Sequence, residues 1–251
     1  MIPAIRAEFR KLLTVRSTYV IIALCALITI FFAFYIEGFR QTANVTSADK
    51  LASEVTSAAQ ALGLFIALAG VLLFTHEYRY NTIMYTLTAA RSRTTVLVAK
   101  IIVVSVFAIV LTAIVCAAAP YLTQFGLHAK GLTVSPQTFP FSDLMIRSVF
   151  YGWGYSMLAL IITAIVRSQV GAIAILFLLP GLGESLLGLL LKQNAKYLPF
   201  NALSSILRDA PSAAINAGAT LSHSTATLLV LSYIVGGWLI AWVLFLRRDA
   251  N

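Results

Sequence analysis

The chain has 251 residues, 60% of them hydrophobic and only 11% charged, with a mean hydropathy of +0.90. This lies far outside the usual soluble composition and points to one integral membrane domain across residues 1–251. The net charge of +9 reads as membrane topology plus contact with anionic lipid, not as nucleic-acid binding.

Residues 1–16 are amphipathic. Ile2, Ile5, Phe9 and Leu12 recur at helical spacing, while Arg6, Glu8, Arg10 and Lys11 take the remaining surface. Two readings stand: an interfacial helix lying on anionic headgroups, or a positive flank that orients the first span. The first predicts an elbow near Arg16–Ser17.

Six long apolar segments follow, at about 17–36, 55–75, 101–125, 148–166, 168–190 and 224–246. About 20 residues rising 1.5 Å each cross a hydrocarbon layer roughly 30 Å thick. Only helices and closed barrels satisfy their backbone there, and runs this continuous are helical. The fold class is therefore all-α integral membrane with six transmembrane helices. The first run has the basic flank of a signal peptide, yet its length and the lack of a small-residue cleavage site read as a retained helix.

Between the second and third spans lies HEYRYNTIMYTLTAARSRTTVLVAK. Tyr80, Ile83, Met84 and Leu87 fall at i, i+3, i+4 and i+7 and form one apolar face of a short helix. Glu77 and Arg79 precede that face; Arg91, Ser92 and Arg93 follow it. Such a helix suits docking in a groove of another protein or lying on the membrane surface with snorkelling arginines.

The third span carries Pro120 near its outer end, which should end or bend it. Gly152, Gly154 and Ser156 on the fourth span and Gly236 and Gly237 on the sixth permit close helix contacts, read first as intramolecular packing. The aromatics of YGWGY, with Trp238 and Trp242, read as interface or packing residues.

The fifth run is interrupted by LLPGLGES. From Ser168 to Pro180 is only about 20 Å of helix, so a kink or break is expected at Pro180, Gly181 and Gly183. Glu184 follows, and the arm after it is expected to re-enter the membrane from the outer side. A charge at the bilayer centre costs about 2.5–3.5 kcal/mol even on the milder scale. Glu184 is therefore a candidate for a substrate gate with Pro180, Gly181 and Gly183, against the blander reading that it reaches headgroup water.

With both termini in the cytoplasm, the inner segments hold eleven Lys and Arg against three acids, and the outer ones seven against six. The positive-inside rule favours that orientation. Cys25 and Cys116 fall within spans and read as packing, while His76, His128 and His223 show no metal-ligand spacing. The sequon at Asn44–Thr46 is a weak match in an outer loop.

The loop resembles that of permease subunits of the type-2 ABC exporter family, which often reads E-Y-[RW]-x-[GN]-T-I, then a leucine, S-R, and A-K at the next span. The matching residues are Glu77, Tyr78, Arg79, Asn81, Thr82, Ile83, Leu87, Ser92, Arg93, Ala99 and Lys100. The opening from Ala7 to Tyr19 is similar to the family's start. Many members carry proline before the S-R pair, where this chain has Ala89, Ala90 and Arg91.

The resemblance implies the transmembrane half of an exporter in the cytoplasmic membrane of a prokaryote. It implies a second copy or a related permease as partner, two ABC ATPase subunits, and a coupling helix in the loop. It also implies a re-entrant outer segment after the fifth span. ATP and Mg would sit on the partner ATPase, with no cofactor on this chain. None of the six lysines follows a glycine, so the chain holds no GxxxxGK[ST] phosphate loop.

Two other classes fit the sequence less well. A stand-alone secondary transporter would show inverted repeats, and none is visible. An intramembrane enzyme would need a paired constellation; no GxSxG occurs, His128 and His223 lie in outer loops, and Glu184 has no carboxylate neighbour. The reading is of a transporter, not an enzyme.

Overall fold

The computed structural model describes residues 1–40, 48–79, 92–132, 141–207 and 221–247, with side chains at all of these except 48–54, 77–79 and 93. Among them the chain is all helix and turn, without a strand.

Helix α1 covers Ile2–Thr14, with Pro3 in its first turn, where a missing amide costs nothing. It stops at Val15, whose backbone is extended (φ −79°, ψ 125°). The elbow expected at Arg16–Ser17 therefore falls one residue earlier, and α2 starts at Arg16.

Among the described residues six helices are long and apolar enough to cross a membrane. The first joins α2 (Arg16–Thr29) to a wider π-helical continuation, Ile30–Phe39. Next come α3 (Ala48–Arg79), α4 (Arg93–His128) and α5 (Phe141–Val166). The fifth joins α6 (Gln169–Leu178), a π turn (Leu179–Gly183) and α7 (Glu184–Leu191). A 3-10 segment (Lys192–Tyr197), the short α8 (Pro199–Ser205) and the last long helix, α9 (His223–Arg247), complete the described chain. With six such helices, the start of α1 and the end of α9 at Arg247 fall at the same end of the bundle, the N-terminal side.

The sequence allowed an end or a bend at Pro120 and a kink or a break at Pro180, and neither helix ends there. Helix α4 continues through Pro120 to His128, and the fifth run winds on through Pro180 instead of breaking. A proline removes one amide and crowds the preceding turn. At Pro180 a wider π turn absorbs that defect, and the helix resumes at Glu184.

The bundle is built around α3, α4 and α5, with α3 against α5 the most extensive contact. The most enclosed candidate span is that of α5, 67% buried along its apolar window, against 11% for the fifth span. Glycine sets the closest approaches. A Cβ at Gly154 would meet Leu203 Cδ1 at 2.9 Å, and one at Gly237 would meet Ile161 Cγ2 at 2.9 Å. Gly152 packs on Thr112 in the same way, whereas Gly236 faces open space. Cys25 and Cys116 are buried free thiols. Trp153 donates through Nε1 to Ser105 Oγ at 3.1 Å, and Tyr155 packs on Phe200 with ring centroids 5.0 Å apart. These aromatics of the fourth span are thus packing groups.

Candidate functional site

Among the described residues two carboxylates are buried, one near each side of the bundle. On the N-terminal side it is Glu8, only 2% exposed on α1. Its Oε1 accepts from Lys11 Nζ at 2.7 Å and its Oε2 from Lys100 Nζ at 2.9 Å. Lys100 is 1% exposed, and its ammonium lies 5.6 Å from the ring centroid of Phe74 on α3. The inward face of α1 is therefore Glu8 with Leu12, while Ile2 is 81% exposed. This corrects the sequence reading, which set Glu8 on the polar surface. A carboxylate tolerates burial where two cations reach it.

The expected coupling loop leaves from this same end. Glu77, Tyr78 and Arg79 form the last turn of α3, so that helix runs past its span without interruption. Ser92 is the N-cap of α4, its Oγ accepting from Thr95 N at 3.2 Å, and Arg93 is the first residue of that helix. Tyr80, Asn81, Thr82, Ile83, Met84, Leu87 and Arg91 lie outside the described residues.

On the opposite side the carboxylate is Glu184, also 2% exposed. Its Oε1 accepts from Phe200 N at 2.8 Å and its Oε2 from Asn201 N at 2.7 Å. The reason is local to α8. Leu198 offers no side-chain cap, Pro199 has no amide, and the next two amides point out of the helix start with no acceptor of their own. One carboxylate from 16 residues earlier takes both. The positive end of the helix adds to the attraction. Glu184 is thus turned into protein and does not reach headgroup water, as the blander sequence reading had it.

Further bonds close the Glu184 hairpin. Asn201 Nδ2 donates to Ala195 O at 3.2 Å, and Tyr233 of α9 donates its hydroxyl to Tyr197 O at 2.8 Å. Pro180, Gly181 and Gly183 occupy the π turn just before Glu184, and Gly181 has open space where a side chain would be. Among the described residues no three His, Cys, Asp or Glu side chains come together as a metal site.

Sequence reasoning named Glu184 but missed what holds it. The available signal was the Leu198–Pro199 start of α8, a helix opening with no capping side chain. It missed the role of Glu8 altogether. There the signal was Lys100, a cation at the edge of an apolar run with no acid nearby in sequence.

Six long apolar helices among the described residues, three of them packed tightly on one another, define a multi-pass membrane protein. Residues 4–180 match the family described as ABC-2 family transporter protein, and the chain belongs to that family. It is thus a transmembrane permease subunit of an ABC transporter. No curated protein matches the chain.

Proposed function

We infer that this chain is the membrane half of an ATP-driven exporter, working as a homodimer or with a related permease and powered by two separate ABC ATPase subunits. The observation that carries the reading is that the family match over 4–180 spans the loop from Glu77 to Arg93, whose two roots are helix ends on the same side. An apolar face of Tyr80, Ile83, Met84 and Leu87 would seat in an ATPase groove, with Glu77, Arg79, Arg91 and Arg93 around it. Both termini would then face the cytoplasm, in the inner membrane of a prokaryote. Substrate would pass a gate segment at Pro180, Gly181, Gly183 and Glu184; support for it is the widened turn next to a carboxylate that holds the hairpin shut. The apolar spans favour a hydrophobic or amphiphilic cargo.

The test is Ile83→Asp. Anchors at the centre of such contacts cost about 2 kcal/mol or more when lost. The variant should insert normally but lose ATPase pull-down or permease-stimulated hydrolysis by about thirtyfold, the equivalent of that energy. Parent-like assembly and turnover would remove this loop as the coupling element.

A further inference from the structure

The Glu8–Lys100 pair joins two elements 92 residues apart in sequence, and its place in the bundle is specific. Lys100 is eight residues after the cap Ser92, about 12 Å along α4. Phe74, against the Lys100 ammonium, is five residues before Arg79, where α3 ends. The pair therefore sits behind both roots of the loop, fixing α1 to that of α4, with Phe74 of α3 against the same ammonium. Leu12, one turn beyond Glu8, is 2% exposed.

A pair this deeply enclosed is a poor device for stability alone. Buried ion pairs are often matched or exceeded by apolar residues of similar volume, because both charges must leave water. What the charges add is direction. Leucine on methionine tolerates a sliding helix, whereas a carboxylate between two ammonium groups at 2.7 and 2.9 Å holds one register. The partners differ in freedom as well: the Lys11 side chain is 37% exposed and that of Lys100 is 2% exposed. Lys100 is therefore the anchored member.

We propose that Glu8 and Lys100 are a positioning pair that locks the N-terminal helix in register on the roots of the 80–91 loop, so that α1, the end of α3 and the start of α4 shift as one body when the loop is pushed. The loop's role rests on the function proposed above; the lock itself does not.

The test uses the full-length chain with Cys25 and Cys116 replaced by serine and Leu12→Cys as reporter. It is labelled with a membrane-impermeant maleimide in permeabilised vesicles, so orientation does not matter. Hydrolysis by the ATPase that co-purifies with the parent is measured with and without the permease. Lys100→Met takes one of two cations from Glu8, and Glu8→Leu takes the carboxylate from Lys100; each alone should speed labelling by about tenfold or more, and both should lower permease-stimulated hydrolysis. The charge swap Glu8→Lys with Lys100→Glu should restore slow labelling and stimulation together. The apolar double Glu8→Leu with Lys100→Met should restore slow labelling only. Single variants that label like the parent, or a swap that labels like the singles, would overturn the lock. Stimulation restored by the apolar double would overturn the positioning role, leaving plain packing. If no ATPase co-purifies with the parent, the proposed function falls, and the labelling arm still decides the lock.

Discussion

Glu8 and Glu184 are the same side chain at the same 2% exposure, yet they are held by opposite means. Glu8 is held by two lysine side chains, one from its own helix and one from α4. Glu184 is held by two backbone amides at the start of α8. Side chains are exchangeable parts, and a swapped pair can do the same work. Backbone amides are fixed, so only another acceptor of matching reach can replace Glu184. One end of the bundle is thus joined by charge between whole elements. The other is joined by capping a short helix inside a single hairpin.

That contrast can be broken with three substitutions. The largest effect is expected for Lys100→Met, which leaves the Glu8 carboxylate with one buried partner fewer; removing one member of a buried pair typically costs about 3 kcal/mol. Thermal unfolding of the purified subunit in detergent reads this directly. Glu184→Gln should come next, at about 2 kcal/mol, because an amide keeps one acceptor and sets an NH2 group against a donor. Its mark should be local: faster hydrogen exchange at Phe200 and Asn201, with no change at α1. If Glu184→Gln instead loosened α1, the two ends would form one unit and the comparison would fail. Lys11→Ala is expected to be the mildest, below about 1 kcal/mol, since that side chain is 37% exposed and water screens its pair with Glu8. A loss as large as for Lys100→Met would make Lys11 the anchor.

The six crossings were legible because long charge-free runs admit one backbone solution in lipid. The helices extend beyond the apolar runs, as at α3, which reaches Arg79, and α4, which starts at Arg93. Those extra turns carry polar residues that hydropathy ignores. At Pro180 the sequence marked the defect, a kink or a break, but not its form, a widened turn that carries the helix on. Glu8 did mislead. Helical spacing offers Ile2, Ile5, Phe9 and Leu12 as a face, and only a lysine 92 residues away makes the face with Glu8 the better one to bury. The cap on α8 was hidden likewise, since a carboxylate 16 residues upstream of Phe200 leaves no local signature. Long-range polar pairing is the part that periodicity cannot supply.

Arg167 adds a consequence for how the chain is made. It forms, with Ser168, the tight turn between α5 and α6, its backbone in the left-handed region (φ 54°). Its Nη2 donates to Leu244 O near the end of α9, 3.2 Å away and 77 residues later. At about 5–20 residues per second, roughly 4–15 s separate the synthesis of the two. During that interval the fifth span is made, while the carbonyl for Arg167 is still to come. The α5 surface that Gly237 later meets at Ile161 can wait against acyl chains, because lipid is as apolar as the helix that will replace it. The last span then closes the bundle as a bolt, and a ribosome stalled before Leu244 would release a chain with its spans inserted and this end unfastened.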